Sequence, residues 1–317
     1  MKQAVLVQPR SSEIYERPAP NVGPEDVLVK VLTCGVCASE LHGWAGDSEP
    51  YPREYGHEVA GVVVETGEKV IDFKPGMAVT GLFLKGYAEY ARVNQRYVTR
   101  IPEGVAIEQA LGEPLACVLS GARRTPVELG DTVAVVGLGF MGLLTLQAIR
   151  LRGPVRLIAI DPRPEALQMA SRLGADEVMT PDQVPHRLTL TQWKELGKGH
   201  GVDVAIEASG TQAGLTLAGQ MAHEHGCLSL VGWHQGGPRL VDMELWNWKA
   251  LNVVNAHERR LDYLMDCMCR GLALVAAGKL EIGSLITHRF PLMGVDEAFG
   301  ALQSKPNGFI KAAVMVA

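Results

Sequence analysis

Between Val133 and Gly142 the chain reads Val-Ala-Val-Val-Gly-Leu-Gly-Phe-Met-Gly, four apolar residues running into the spacing G-x-G-x-x-G. An apolar strand that ends on such glycines and continues as a helix has few structural solutions. Gly137 permits a tight turn, Gly139 lets backbone approach a pyrophosphate, and Gly142 lets the helix pack closely on the strand. With Leu138, Phe140 and Met141 they form a turn whose following helix points its N-terminus at phosphate. The spacing alone is a weak signal, but strand and helix flank it correctly. A second apolar run, Val155–Ile160, ends in Asp161, 19 residues beyond Gly142. An acidic side chain there accepts hydrogen bonds from the adenosine ribose and repels a 2′-phosphate, which favours NAD over NADP. Two other readings stay open: Asp161 caps the helix starting at Pro162 or Pro164, and Arg163 holds a 2′-phosphate, so that NADP binds.

From Asp131 onward strand and helix patterns alternate: Thr132–Val136, Met141–Leu151, Val155–Ile160, Pro164–Leu173, Val202–Ala208, Gln212–Ala222, Cys227–Val231 and Leu251–Asn255. This alternation predicts a doubly wound parallel α/β sheet with helices on both faces, and the strands are apolar throughout, as doubly covered strands are. The first part of the chain has another texture. Short runs such as Lys2–Gln8, Asp26–Thr33, Glu58–Glu65, Met77–Phe83, Ala88–Val93 and Tyr97–Ile101, broken by Gly and Pro, predict a β-rich domain. Helices are expected at Ile107–Leu111 and Pro114–Arg124. After Leu261 a helical pattern runs to Gly278, followed by a strand at Leu285–Phe290, a helix at Val295–Leu302 and a strand at Phe309–Val316. The expected division is residues 118–261 for the parallel-sheet domain, with 1–117 and 262–317 forming one split domain around it.

Length and composition agree with two domains: 317 residues exceed one ordinary core. A charge of -5 argues against nucleic acid or an anionic membrane as partner. No stretch approaches the roughly 18 apolar residues of a membrane span, and the N-terminal apolar run is too short for a signal-peptide core. A cytoplasmic location is expected. The six cysteines, Cys34, Cys37, Cys117, Cys227, Cys267 and Cys269, are then thiols or metal ligands rather than a disulfide framework.

Two short clusters carry the chemistry. The first is Cys34-Gly-Val-Cys37-Ala-Ser39-Glu40-Leu-His42; the second is Gly56-His57-Glu58-Val-Ala-Gly61, with Gly67 beyond. Cys34-x-x-Cys37 by itself reads as half a structural zinc site or as a redox pair, and His57 by itself reads as an ordinary packed histidine. Together, Cys37, His57 and Glu58 supply thiolate, imidazole and carboxylate, all of which bind Zn2+.

With Glu113-Pro-Leu and the glycine turn, these clusters resemble the zinc-containing medium-chain dehydrogenase/reductase, or alcohol dehydrogenase, family, over nearly the whole chain and in the same order. Its sorbitol and threonine dehydrogenase branch is the most similar. The resemblance implies a Rossmann domain plus a GroES-like β-rich catalytic domain. It makes Cys37 and His57 catalytic zinc ligands, Glu58 a ligand or a group that exchanges with water, and Glu113 a ligand either directly or through water. The alternative for Glu113 is a carboxylate facing a helix dipole. Ser39 and His42 would relay the substrate proton to solvent; otherwise they are a turn hydroxyl and a surface imidazole. Glu40 stands where aspartate is usual and would orient His57. The family's four-cysteine lobe is missing, so one catalytic zinc and no structural zinc are expected. Lys311 either meets the pyrophosphate or faces solvent. Trp233, Trp246 and Trp248 flank the nicotinamide half, or are core or interface residues.

The expected activity is hydride transfer between NAD and a secondary alcohol of a polyol, sugar or hydroxy-amino acid. The competing readings are a zinc-dependent NADPH-linked carbonyl reductase and an inactive nucleotide-binding protein. The apolar sheet edge near Leu251–Asn255 suggests a homo-oligomer.

Overall fold

The structure, a computed structural model, describes residues 1–46 and 50–316. Along the chain β1 (Lys2–Gln8), β2 (Ser11–Glu16), β3 (Asp26–Gly35), α1 (Leu41–Ala45), β4 (Glu58–Thr66), β5 (Ala78–Gly81), β6 (Tyr90–Asn94) and β7 (Val98–Arg100) come first. After α2 (Gly112–Arg124) follow β8 (Thr132–Val136), α3 (Phe140–Arg150), β9 (Arg156–Ile160), α4 (Pro164–Arg172), β10 (Glu177–Met179), β11 (Val202–Glu207), α5 (Gln212–Met221), β12 (Ala222–Leu230), α6 (Met243–Trp248) and β13 (Asn252–Asn255). The last elements are α7 (Leu261–Ala276), β14 (Ile286–Pro291), α8 (Val295–Ser304) and β15 (Lys311–Met315). The chain divides into two compact units. Unit 1 comprises Met1–Cys117 and Arg260–Ala317, and unit 2 comprises Val118–Arg259.

Unit 1 is built on a sheet with the order β14-β15-β3-β4-β5-β7, and β6 also pairs with β3. The long β3 and β4 are its spine. Their β-branched residues, Val27, Val29, Val31, Val59 and Val63, are buried in one apolar cluster with Phe73, Phe83, Tyr87 and Phe299. Their antiparallel register sets Cys34 opposite Val59 and Gly35 opposite Glu58. Because β15 pairs antiparallel with the same end of β3, Ala313 lies across from Gly35. The end of β3, the start of β4 and the start of β15 are thereby brought side by side. Gly61 keeps the two spine strands close, since a Cβ there would stand 2.1 Å from the Lys30 carbonyl oxygen.

Unit 2 is a six-stranded sheet in the order β10-β9-β8-β11-β12-β13, every neighbouring pair parallel. This is a doubly wound Rossmann sheet, and its order reverses between β8 and β11, where such sheets bind ligands beyond the strand ends. The sequences of β8 (TVAVV) and β9 (RLIAI) are buried almost throughout, as strands covered on both faces must be. Helix α3 is buried around nearly its whole circumference. Pro164 opens α4, where its missing N–H is not needed.

Some elements carry no apolar period and were not foreseen: β2, β10, α1 and α6. Strand β12 starts earlier than its apolar run, at Ala222. The polar stretch His223–His225 joins it through a register shift opposite Val202/Val204.

Within unit 2, Lys249 is buried and donates from Nζ to the carbonyls of Gly219, Gln220 and Ala222 at 2.9, 2.8 and 2.8 Å. It thus satisfies the carbonyls that α5 leaves open at its C-terminus. Burial lowers its pKa from 10.5 to about 8. Lys249→Met strands these acceptors and is expected to cost about 1–3 kcal/mol in urea unfolding. Because the unfolded lysine holds its proton to higher pH than the folded one, the wild-type advantage over this variant widens from about pH 8 to 10.5 and is flat below that window.

Candidate metal centre and dinucleotide turn

Cys37 lies two residues past the end of β3, and His57 immediately precedes β4. The ladder between these strands makes them spatial neighbours. Cys37 Sγ, a ring nitrogen of His57 and a carboxylate oxygen of Glu58 all lie within 4.8 Å of one another. Donor atoms sharing one tetrahedral zinc stand about 3–4 Å apart, so small side-chain adjustments bring all three onto one ion. The donor set of thiolate, imidazole and carboxylate is chemically apt for Zn2+.

Each donor is held from behind. His57 Nδ1 lies 2.8 Å from Glu40 Oε1, which leaves Nε2 for a metal. That same Glu40 oxygen accepts the Gly56 N–H at 2.8 Å, and Oε2 accepts the Tyr87 hydroxyl at 3.0 Å. The longer glutamate reaches His57, as the sequence suggested it would. Burial works to lower the His57 pKa, but contacts with Cys37 and the Glu40 carboxylate outweigh it and push it up to about 12. Ser39 Oγ donates to Cys37 Sγ at 3.2 Å from an exposed position. His42 lies on α1, just after the turn Ala38–Glu40, and is half-buried.

Glu58 is buried beside Lys311, whose Nζ lies 2.7 Å from each carboxylate oxygen and donates to Oε1. This corrects both readings of Lys311: it is buried and occupied with a carboxylate of its own unit. Burial pulls its pKa down, but Glu58, and then Cys37, hold it above the ordinary value. A lysine inside the otherwise apolar Phe309–Val316 was the available signal, since a buried ammonium needs a partner.

Glu113 starts α2 and is not among the three groups that converge within 4.8 Å. Burial raises its pKa; Glu58 adds to the shift and His57 opposes it. Its Oε1 accepts from Cys117 Sγ at 3.2 Å, a contact the sequence reading missed although the residues are one helical turn apart. Cys34 is a buried free thiol, its pKa raised by burial and then by Glu40 and Glu58. It takes no part in the cluster of Cys37, His57 and Glu58.

In unit 2 the glycine turn is built as its spacing required. Gly137 has φ +95°, and a Cβ on it would stand 2.5 Å from the Ser209 nitrogen. Gly142 faces the Gly137 carbonyl oxygen so closely that a Cβ would meet it at 1.9 Å. Gly139, which caps α3, has nothing within 4 Å of an added Cβ. Asp161 is buried at the end of β9, and its Oδ2 accepts the Leu138 N–H at 2.7 Å, tying the turn to the strand. Its Oδ1 accepts from the Arg163 N–H and Nε, each at 3.0 Å. The N-cap of α4 is Arg163, so Asp161 stands two residues outside that cap. Phe140 and Met141 begin α3, with Phe140 buried. Ser209 is fixed against the turn by buried Glu207, whose Oε1 accepts its N–H at 2.8 Å while Oε2 meets His234 Nε2 at 2.8 Å. Of the tryptophans, Trp233 is exposed and carries Arg259 over its ring, Trp246 packs against the unit 2 core, and Trp248 meets Trp193 edge to face.

Family models match both parts of the chain. The alcohol dehydrogenase GroES-like domain matches residues 23–103, and the zinc-binding dehydrogenase domain matches residues 141–272. Rat sorbitol dehydrogenase is 27% identical, over 93% of this chain and 90% of its own. L-threonine 3-dehydrogenase of Pyrococcus abyssi is 29% identical, over 94% and 93%. A Sinorhizobium meliloti protein assigned as a zinc-binding dehydrogenase, solved with NADP, superposes with a TM-score of 0.85 at 27% identity, covering 99% of this chain and 98% of that one. Among the described residues no helix is long and apolar enough to cross a membrane.

The glycines separate folding from binding. Gly142→Ala is expected to lower the melting temperature, because backbone rather than a flexible side chain blocks the new methyl. Gly139→Ala should melt like the wild type yet bind dinucleotide at least about tenfold more weakly, about 1.4 kcal/mol, since its methyl occupies the phosphate's approach. Calorimetry and NADH fluorescence titration check the two halves.

Proposed function

This chain belongs to the zinc-containing medium-chain dehydrogenase/reductase (alcohol dehydrogenase) family, and from that premise we propose that it moves hydride between NAD and a secondary alcohol of a polyol, sugar or hydroxy-amino acid. It is a zinc-dependent oxidoreductase that works with a nicotinamide cofactor on a small-molecule substrate. The observation that carries the site assignment is the convergence of Cys37, His57 and Glu58 at the joined ends of β3 and β4.

When bound, zinc supplies the Lewis acidity that lets an alcohol hydroxyl lose its proton near neutral pH. The chain's own residues do the rest. Cys37, His57 and Glu58 would hold the ion, and Glu40, at 2.8 Å from His57 Nδ1, orients the ring and leaves Nε2 free to serve as the ligand nitrogen. Glu113 lies close enough to feel the charges of His57 and Glu58 and is assigned a supporting place, through water or by ligand exchange. Ser39 Oγ, beside Cys37 Sγ, would accept the hydroxyl proton as its own proton moves onward, and His42 would deliver that proton to solvent. One catalytic zinc serves this chemistry.

In unit 2, Gly137–Gly142 would cradle the pyrophosphate at the start of α3. The buried Asp161 carboxylate would accept the ribose hydroxyls and disfavour a 2′-phosphate. This supports NAD, although Arg163 beside it and the NADP of the Sinorhizobium meliloti structure keep the carbonyl-reductase reading as the second one. The exposed edge strand β13 supports a homo-oligomer.

The direct test is a screen of polyols, sugars and hydroxy-amino acids with NAD and with NADP, before and after zinc removal by a chelator. NADH formation that disappears on chelation and returns with Zn2+ is expected. Turnover unaffected by complete zinc removal contradicts the proposal. Ser39→Ala should lower kcat by about 100-fold or more without loss of zinc. Asp161→Asn keeps an acceptor for the Leu138 N–H but removes the charge, and should raise the NADP-to-NAD ratio of kcat/KM about tenfold.

A further inference from the structure

Unit 2 carries a second convergence of metal-binding side chains, which the hydride-transfer reading leaves unused. Between β10 and β11 the chain makes three short helical turns, Pro181–Gln183, His186–Leu188 and Trp193–Glu195. Leu188 anchors this stretch in the unit 2 core. On its outer side His186, Glu195 and His200 offer donor atoms that all lie within 4.8 Å of one another. His186 Nε2 stands 2.8 Å from Glu195 Oε1, and the two imidazoles meet edge to face with centroids 4.9 Å apart.

Two details distinguish this group from a chance surface cluster. His200 Nδ1 lies 3.2 Å from the carbonyl oxygens of both His186 and Thr189. Carbonyls only accept, so Nδ1 carries a proton, which leaves Nε2 as the nitrogen that can bind a metal. A metal-ligating histidine is held in this way, its far nitrogen donating to backbone. Glu195 is fixed as well: Oε2 accepts the Thr191 and Gln192 N–H groups at 2.9 and 3.0 Å. Capping of the Trp193–Glu195 turn accounts for Oε2. It does not account for His186 at Oε1 with the His200 ring beside it.

We propose that His186, Glu195 and His200 form a second metal site, separate from the Cys37 centre, that binds a borderline divalent ion of the Zn2+ class. Two imidazoles and one carboxylate suit such an ion, whereas Mg2+ and Ca2+ favour all-oxygen shells. Two donors on one tetrahedral zinc stand about 3.3 Å apart, so His186 has only to withdraw slightly from Glu195. Three protein donors leave a position for water, and the exposed His186 makes the ion exchangeable. His186 and His200 are 14 residues apart, so the ion ties together the ends of the segment between β10 and β11. It stabilises the native state by mass action. The site does not depend on the assigned activity.

The test uses the full-length Cys37→Ala/His57→Ala variant, which disables the first centre, titrated with Co2+ and with Zn2+. One equivalent of Co2+ is expected to bind without a thiolate-to-cobalt charge-transfer band, and Zn2+ should raise the melting temperature. Adding His186→Gln keeps a partner for Glu195 on an exposed side chain but should weaken binding at least tenfold and abolish the thermal shift. The unchanged melting temperature of the metal-free variant serves as the folding control. No binding by Cys37→Ala/His57→Ala, a thiolate band in it, or equal affinity after His186→Gln each overturns the proposal.

Discussion

The pairing of β3 with β4 is what the candidate chemistry hangs on. Their register joins Gly35 to Glu58, and every donor of the metal cluster lies at that end of the ladder. Cys37 continues from one strand, while His57 and Glu58 enter the other. A one-residue slip would turn Glu58 to the opposite face of the sheet. The register is held by the valine-rich spine and by Gly61, which lies against the Lys30 carbonyl oxygen.

Around that ladder, unit 1 buries charge, which is costly unless each charge is paired. Glu58 is answered by Lys311, brought in by β15 pairing with the same end of β3. Glu40 is answered by His57, the Gly56 N–H and the Tyr87 hydroxyl. These partners leave His57 little rotational freedom and keep a carboxylate beside the ligand set. In unit 2 the same economy appears in Asp161, which spends one oxygen on the Leu138 N–H and the other on Arg163. A single buried carboxylate thus braces the glycine turn.

Much of this was legible in the sequence, for identifiable reasons. The glycine turn follows a local steric rule, and the β8 and β9 strands are buried on both faces, so period and composition marked them. Cys37, His57 and Glu58 were legible as residue types within two short motifs. The contacts that tune them were not. Lys311 meets Glu58 across a sequence separation of 253, whereas Cys117 and Glu113 stand one helical turn apart, a spacing that the sequence did carry. Lys249 carries no local signal, because only the tertiary fold brings the end of α5 to it. His186, Glu195 and His200 fall between apolar periods, where local pattern carries little information.

The central claim is that one thiolate, one imidazole and a carboxylate share a single zinc ion. X-ray absorption at the zinc edge, on metal-free protein given one equivalent of Zn2+, reads that shell directly. The account predicts one sulfur at about 2.3 Å and nitrogen or oxygen neighbours at about 2.0–2.2 Å. A shell without sulfur, or with two or more sulfurs, would contradict it.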